Sequence, residues 1–499
     1  MPRIVFVFFL LLAGAPALAQ AEADRVAGPV SRAITAFNQG VFYEVTILGQ
    51  SVELIVLWMF APMLFLTVWF GFINLRGFKL AFRVLRGHFR DDTAPGEVTQ
   101  FQALTTALSG TVGLGNIAGV AVAIALGGPG AAFWMLVIGF FAMSLKFAEC
   151  TLGVKYRREH ADGTVSGGPM YYLTRGLAAR GWVRTGAALG LIYAICAVPA
   201  MIQIAQVNQA FSQLSLVTGI DGAGWRWAFG LLTAAAVAVV IIGGIRAIAG
   251  VTARLVPLMA GLYISAALFI LIGHIDRIPA AIALIVGEAF TPQAGIGAVI
   301  AAFVWGMRRA VYSTEAGLGS ATVAHAAAKT HEPVSEGLVA LLEPFIDTVV
   351  ICSMTALVIV VTGAYQQGLG DVQMTSWAFN SVIPGFNIVL TVAVMLFAYS
   401  TIISWSYYSS KAWGFLFGYS RFSMGLYKTV FCVLLIPGAV LTTGQVFDIM
   451  DALFFLMAVP NIVGIYLMSG EIRQDLRSYL ARVKSGEIQP VQALPQAAE

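Results

Sequence analysis

The sequence predicts an all-α polytopic membrane protein with 11 transmembrane helices: one N-terminal helix, then five plus five core helices in an inverted repeat. The first observation is composition, since 59% of the 499 residues are hydrophobic and 11% charged, with a mean hydropathy of +0.84. Soluble domains carry about 25% charged residues, so a soluble domain with one anchor is excluded. The second observation is a series of apolar segments of membrane-spanning length, and the third is that glycines interrupt two of them.

The N-terminus resembles a secretory signal peptide over residues 1–19. Arg3 is followed by an apolar run over 4–12, and Ala17-Leu18-Ala19 has the small-x-small pattern of a cleavage site. An uncleaved short helix is the alternative. In either case, the polar segment 20–51 is expected to be extracytoplasmic.

The apolar segments that follow divide into an opening helix at 52–74 and two repeats, 98–273 and 294–470. Because each repeat has five helices, an odd number, the second repeat is inverted in the membrane. The stretches 275–292 and 373–385 are predicted to be outer loops that carry short helices. The predicted spans are 52–74, 101–126, 131–153, 186–211, 227–245, 254–273, 295–321, 337–362, 387–407, 424–441 and 448–468.

The loops fix the predicted orientation, because Lys and Arg accumulate on the cytoplasmic side of membrane proteins. One face carries 21 of these residues, whereas the opposite face of the mature chain carries four. We therefore expect a bacterial inner (plasma) membrane protein with its N-terminus outside and the tail 471–499 in the cytoplasm. The expected surroundings are the lipid bilayer, and no motif indicates a nucleic-acid partner. The four outer residues are Arg25, Arg32, Arg226 and Arg277.

The run SGTVGLGN at 109–116 places three glycines inside the apolar segment 101–126. Each glycine costs a continuous helix about 1 kcal/mol relative to alanine. Within a bilayer, irregular backbone is tolerated where it is buried in protein or lines a wet cavity. A second set, Gly306 and 317–319, lies in the first helix of the second repeat. Two broken helices at matching places predict a transporter site near the midplane, although close helix packing through small residues is the alternative.

Other classes of protein are disfavoured by what the sequence lacks. It has no G-x-x-x-x-G-K-[ST] motif for ATP, no CxxC pair among its four cysteines, and no HExxH among its scattered histidines. We therefore expect no enzyme activity. A channel would usually need a repeated pore ring and often a small oligomerising subunit, whereas this chain contains its own pseudo-symmetry. The sequence does not indicate an oligomeric state.

Several long strings in order resemble the alanine/glycine:cation symporter family. They include TALSGTVGLGNIAG at 106–119, GGPMYYL at 167–173, YSTEAGLGSATVAHAAAKT at 312–330 and YSTIISWSYYSSKAW at 399–413. The resemblance covers about residues 98–470. It implies the inverted-repeat fold of the bacterial leucine transporter and the import of alanine or glycine with a sodium ion. The family usually has Asn at the position of Thr314, a departure that puts specificity in question.

An amino acid substrate needs donors for its carboxylate, acceptors for its ammonium and small apolar walls. Backbone N–H groups of Gly113, Leu114 and Gly115 lie beside a half-helix N-terminus, where the dipole favours an anion. The family resemblance suggests Gln206, with a register through Gln203 left open. An interfacial anchor is the alternative reading of Trp405. The candidate substrate residues are Thr111, Gly113, Leu114, Gly115, Asn116, Gln206, Gly306, Ile402 and Trp405.

A sodium ion needs several oxygen ligands without a full charge. The carbonyls of Ser109 and Val112 and the hydroxyls of Ser400 and Thr401 are the candidates, since the fold implied by the resemblance brings these segments together. The alternative for the hydroxyls is back-bonding within their own helix. Asn116, like Thr111, belongs to the substrate or to a second ion.

Acidic residues inside a membrane are functional candidates by default. Asp347 and Glu343 lie one turn apart and become the first suspects if the coupling ion is a proton. The favoured interpretation is structural: both acids pair with Arg308 or Arg309 near the cytoplasmic end. Similarly, His325 is expected to be cytoplasmic rather than part of a proton relay.

Overall fold

A computed structural model of the chain describes residues 34–47, 50–91, 93–113, 115–290, 296–441 and 445–489. The predicted signal peptide 1–19 lies outside the described residues, as do half of 20–51, the end of the tail and Leu114. The described part is largely helical, with two short antiparallel hairpins.

The N-terminal part consists of a short helix, a hairpin and the opening apolar helix. The hairpin pairs Glu44 with Glu53 and Ile47 with Gln50. The opening helix, predicted over 52–74, is shorter and has 16 residues. The elements are α1 (34–41), β1 (Glu44–Ile47), β2 (Gln50–Glu53), α2 (Leu54–Trp69), α3 (Ile73–Arg76) and α4 (Phe78–Leu85).

The next part of the chain begins with a broken helix. It also contains a short hairpin, predicted to be cytoplasmic, between a long helix and a helix of 10 residues. Its elements are α5 (Gln100–Thr111), a π-helical turn (Gly115–Gly119), α6 (Val120–Gly127), α7 (Gly130–Lys155), β3 (Arg158–Glu159), β4 (Val165–Ser166), α8 (Pro169–Ala178), α9 (Val183–Ala200), α10 (Ile204–Thr218), α11 (Ala223–Ile241), α12 (Gly244–Gly273) and α13 (Ile278–Phe290).

The last part again begins with a broken helix. Its elements are α14 (Ile296–Thr314), α15 (Thr322–His325), α16 (Pro333–Ala340), α17 (Leu342–Pro344), a π-helical segment (Phe345–Cys352), α18 (Ser353–Val361), a 3₁₀ turn (Ala364–Gln366), α19 (Asp371–Asn380), α20 (Phe386–Phe417), α21 (Arg421–Leu435), a second 3₁₀ turn (Ile436–Ala439), α22 (Gln445–Leu456) and α23 (Ala458–Ser485).

Among the described residues, eight helical spans are long and apolar enough to cross a membrane, or nine if the bent pair α5–α6 counts as one span. The polytopic membrane architecture is therefore confirmed, whereas the count of 11 spans stays a prediction. The last helix differs from expectation, because it continues beyond 468 to Ser485. Its polar end is held by ion pairs of Lys155 with Glu471 at 2.5 Å and of Arg482 with Glu332 at 2.7 Å.

The first break lies where the glycines predict it. A capping box of Thr99 and Gln102 starts α5, and Val112 leaves the helix in an extended conformation with ψ 108°. The axes of the two halves differ by 55°. The chain resumes at Gly115 as a π-helical turn, a form that is frequent at functional sites.

The second break lies later than Gly306, because α14 continues to Thr314. Glu315 then has φ +51°, and Gly317 and Gly319 have φ +99° and +73°. These left-handed values end the helix, and they are readily adopted by glycine but rarely by glutamate. The helix resumes only at Thr322.

Candidate functional site

The C-terminal end of α5 is joined to α20 by side-chain hydrogen bonds. Because α5 ends at Thr111, the carbonyls of its last turn lack helical partners. The hydroxyl of Thr401 donates to the carbonyl oxygen of Ser109 at 3.0 Å, and Nε1 of Trp405 donates to that of Gly110 at 3.3 Å. Helix α20 thus supplies the donors that the break removes.

An oxygen-rich cluster surrounds this contact. The hydroxyl of Ser109 donates to the carbonyl oxygen of Ser400 at 2.9 Å and shares a very short hydrogen bond with Ser404. The hydroxyl of Ser400 bonds back to the carbonyl oxygen of Phe397 at 3.0 Å. Of the two predicted hydroxyls, Thr401 therefore faces the break, while Ser400 is back-bonded. The sequence could not identify the Phe397 carbonyl as a candidate, because every residue has a backbone carbonyl.

A second cluster lies on the other side of Gly113. The side-chain oxygen of Asn116 accepts from the N–H of Gly113 at 2.7 Å, and its Nδ2 donates to the carboxylate of Asp347 at 2.6 Å. The hydroxyls of Ser313 and Thr348 donate to the other oxygen of this carboxylate at 2.5 and 2.7 Å. All these side chains are buried. The cluster joins both broken helices to the π-helical segment Phe345–Cys352.

The predicted structural pairing of Asp347 with an arginine is wrong. Arg308 instead forms an ion pair of 2.5 Å with Glu53 of the N-terminal hairpin, and the guanidinium of Arg309 lies over the ring of Tyr312. The physical reason is position, because the π-helical segment turns Asp347 toward the first break, where neutral donors hold it.

Glu343 also has a different partner from the one expected. It pairs with Lys146 at 2.9 Å, and both side chains are fully buried. His325 is likewise buried and contacts Glu336 through Nδ1 at 2.6 Å, and its position on the cytoplasmic side stays a prediction. A buried ion pair needs hydrogen-bonding neighbours to offset its desolvation, and these four residues lie on four different elements. They hold α7 against the segment that follows the second break.

The backbone of the second break is held by polar side chains. The carboxylate of Glu149 accepts from the N–H of Gly317 at 2.9 Å and from the amide of Asn461 at 2.7 Å. Asn461 also donates to the carbonyl oxygen of Gly317 at 2.7 Å. The hydroxyl of Thr314 donates to Ala310 of its own helix, and it accepts from the N–H of Ala316. Thr314 therefore caps α14, and its hydroxyl is used locally.

Three further candidates differ in the surroundings that the structure gives them. A Cβ on Gly306 would lie 2.5 Å from the carbonyl oxygen of Ala131, so the missing side chain serves helix packing. Ile402 lines an apolar cavity of about 180 Å³ between α10, α11 and α20. Trp405 is only 1% exposed, which excludes the interfacial anchor.

The remaining candidates lie around the break or on α10. Gly115 is exposed, and no described atom lies within 4 Å of the position of a Cβ there. The hydroxyl of Thr111 contacts the carbonyl oxygen of Leu108 at 3.4 Å. The side-chain oxygen of Gln206 is buried, whereas Asn208 donates to the carbonyl oxygen of Leu441.

Two broken helices within a bundle of membrane-spanning helices are typical of secondary transporters. The crystal structure of MhsT in complex with L-phenylalanine has the same fold, with a TM-score of 0.50 at 15% identity over 75% of this chain and 89% of MhsT. The family model described as "Sodium:alanine symporter family" matches residues 36–493. The chain belongs to this family.

Two curated relatives show how wide the family is. The sodium/alanine symporter AgcS of Methanococcus maripaludis is 37% identical over 454 residues, which cover 89% of this chain and 96% of AgcS. GlnT of Bacillus subtilis, described as a probable sodium/glutamine symporter, is 34% identical over 83% of this chain and 85% of its own length. Because these names differ in substrate, family membership alone leaves the amino acid open.

Proposed function

We propose that this protein imports a small neutral amino acid, alanine or glycine, together with a sodium ion by alternating access. The observation that carries the proposal is the pair of oxygen-rich clusters on either side of Gly113, one with Thr401 and one with Asp347. Ion binding at the break would order its backbone and add positive charge beside a substrate carboxylate. One set of helices then rocks against the rest.

The proposed sodium site combines the end of α5 with α20. Its carbonyl ligands are those of Ser109, Val112 and Phe397, and its hydroxyl ligands are those of Ser400 and Thr401. The Thr401–Ser109 hydrogen bond supports this set, because it already joins two of the proposed ligand oxygens. Ser400 stays in the proposal although it is back-bonded to Phe397, because a hydroxyl oxygen that donates keeps its lone pairs for a cation. Neutral oxygens suit a monovalent cation that must also be released.

The proposed substrate site lies at the other side of the break. Backbone N–H groups near Gly115 would bind the carboxylate, and the open space beside this residue supports access to them. The Asp347 carboxylate favours a cation next to Asn116, either the substrate ammonium or a second sodium ion. Trp405 would close one wall. Gln206 stays in the proposal because its buried side-chain oxygen is an available acceptor.

The direction of transport rests on the distribution of Lys and Arg. The excess of 21 to four residues supports a cytoplasmic C-terminus and an outer N-terminus in the inner membrane. Import then follows the inward sodium gradient. The second candidate is proton coupling, which the buried carboxylate of Asp347 favours.

The deciding experiment is uptake of radiolabelled alanine into proteoliposomes. We expect accumulation with an inward sodium gradient at fixed pH, and inhibition by excess glycine but weak inhibition by glutamine. Liposomes without protein, and protein without a gradient, are the controls. Equal accumulation driven by a proton gradient in sodium-free buffer would show that the coupling ion is a proton and not sodium. Glutamine uptake without alanine uptake would overturn the proposed substrate.

A further inference from the structure

Two chain segments that flank the broken helices are paired at one end of the bundle. The segment 95–98 precedes α5, and the segment 326–330 follows α15. The N–H of Glu97 donates to the carbonyl oxygen of Ala327 at 2.8 Å, and the N–H of Lys329 donates to that of Val98 at 2.9 Å. Val98 and Ala328 form a parallel β-bridge. The two broken helices are therefore tied together by backbone at this end.

The close approach of these segments depends on a glycine. Gly96 has φ +142°, and a Cβ on it would lie only 2.5 Å from the carbonyl oxygen of Ala328. No side chain fits there without separating the two strands. Val98 and Ala328 are buried, so the end of the bundle is packed shut where they meet.

The guanidinium of Arg157 holds both segments at once. Its Nη1 donates to the carbonyl oxygens of Ala326 and Ala328 at 3.0 and 2.7 Å, and its Nη2 donates to those of Pro95 and Thr330 at 2.6 and 2.9 Å. All four terminal N–H groups of the planar fork are thus used, a pattern that the three donors of a lysine could not reproduce.

The charge that makes these bonds is permanent. Burial lowers the pKa of the Arg157 guanidinium from its usual value, but arginine stays protonated at any physiological pH. Only 4% of the side chain is exposed. A second cation supports the same region, since Lys411 of α20 donates to the carbonyl oxygen of Val165 in the hairpin that follows Arg157. The contacts therefore connect α5, α7, α15 and α20.

The opposite side of the first break differs. Gly115 is exposed there, with open space beside it, whereas the end next to Arg157 is buried. The Lys and Arg distribution assigns this buried end to the cytoplasm. In alternating access, a site that is reachable from one side must be closed on the other. Gly115 is thus exposed, while the end that is predicted to be cytoplasmic is closed.

We propose that Arg157 is a positioning residue for transport: with the segments 95–98 and 326–330 it forms a cytoplasmic latch, which must open before the substrate is released. This inference rests on the proposed function and orientation. The latch acts on α5 and on the segment after the second break, which are the two chain regions that frame the site. Opening it frees both broken helices on the cytoplasmic side, while its closure favours the state that takes substrate from outside.

The first test locks the latch with a disulfide. Adjacent strands lie about 4.8 Å apart, within the Cα separation that a disulfide accepts. The variant combines Val98→Cys with Ala328→Cys. Reduced protein should take up alanine like the parent. After oxidation, sodium-dependent alanine binding to purified protein should persist, while uptake should fall by about tenfold or more; reductant should restore it. The single-cysteine variants under the same oxidant control for the four native cysteines.

The second test opens the latch. Arg157→Met should shift the population toward the inward-open state and weaken alanine binding by about tenfold. Arg157→Lys, which keeps the charge but not the fork, should lie between this variant and the parent. Arg158→Met is the matched control, because Arg158 is next to Arg157 in the sequence and its side chain is exposed. Oxidising the Val98→Cys/Ala328→Cys pair in the Arg157→Met protein should return alanine affinity to that of the parent, a rescue that a general folding defect would not show.

The two proposals fail in different ways. A parent protein that does not accumulate alanine refutes the proposed function. An oxidised cysteine pair that transports as fast as the reduced protein refutes the latch, whatever the coupling ion. Unchanged alanine affinity in Arg157→Met, or no rescue by the disulfide, would also overturn it.

Discussion

The side-chain amide of Asn116 donates a hydrogen bond of 2.6 Å to the carboxylate of Asp347, across an interval of 231 residues. Asn116 lies in the π-helical turn of the first broken helix, and Asp347 lies in the π-helical segment after α17. The same asparagine accepts the N–H of Gly113 through its oxygen. The side chain of Asn116 therefore connects the buried carboxylate of Asp347 to the backbone of the break.

Replacing Asp347 by Asn keeps the shape of this side chain but removes its charge. We expect Asp347→Asn to weaken sodium-dependent alanine binding by about tenfold or more, because a cation next to Asn116 loses its counter-charge. Thermal stability should be unchanged or higher, since a buried charge is removed. Calorimetry and thermal unfolding measure the two effects. Parent-like alanine binding at every sodium concentration would remove Asp347 from the site.

Thr401→Ala tests the proposed ion ligand. Losing one neutral ligand should cost about 1–2 kcal/mol, and the apparent sodium affinity should fall by about five- to thirtyfold. Thr429→Ala is the matched control, because that hydroxyl is exposed and bonds back to Gly425 of its own helix. Sodium titrations of alanine binding give the comparison. Identical titration curves for the two variants would exclude Thr401 as a ligand.

A side chain in the first break should block transport. Gly115→Val places a branched group in open space where the substrate carboxylate is proposed to bind, so expression and stability should be near normal while alanine binding is lost. Gly113→Val should act similarly, since its Cβ position lies 3.6 Å from the Thr401 hydroxyl oxygen. Parent-like alanine binding by Gly115→Val would make the glycines packing residues.

The control for these valines must itself be free of strain. Gly128 is unsuitable, because it has φ +72° and a Cβ would lie 3.1 Å from the carboxylate of Glu288. Gly261 of α12 has no described atom within 4 Å of its Cβ position. Gly261→Val should therefore bind alanine and transport it like the parent.

The buried ion pair of Lys146 and Glu343 is expected to matter for the stability of the protein, because each charge needs the other when both are buried. Lys146→Met should destabilise the protein by about 3–5 kcal/mol, because it leaves the Glu343 carboxylate buried without its cation. Combining it with Glu343→Gln should recover part of this loss. Thermal unfolding in detergent measures both. Equal melting temperatures for the parent and Lys146→Met would show that the pair is not coupled to folding.

The sequence predicted best what its local pattern encodes. Glycine density located the first break to within a few residues, and hydropathy indicated the long spans. The sequence did not predict the contacts between distant segments. The partners of Asp347 and Glu343 depend on how helices pack, and Phe397 enters the proposed site through a carbonyl that every residue has. Gly306 was misread as part of a break, because a glycine needed for packing looks the same in the sequence.

The ion pair between Glu53 and Arg308 attaches the N-terminal hairpin to α14. Glu53 lies next to the opening helix, outside the proposed repeats, and Arg308 lies two turns before the second break. A tilt of α14 must therefore either carry the hairpin with it or separate the two charges. A minimal transporter trimmed to the ten core helices would lose this attachment. In the full chain, a fluorophore on the hairpin would report the movement of α14 without entering the substrate pathway.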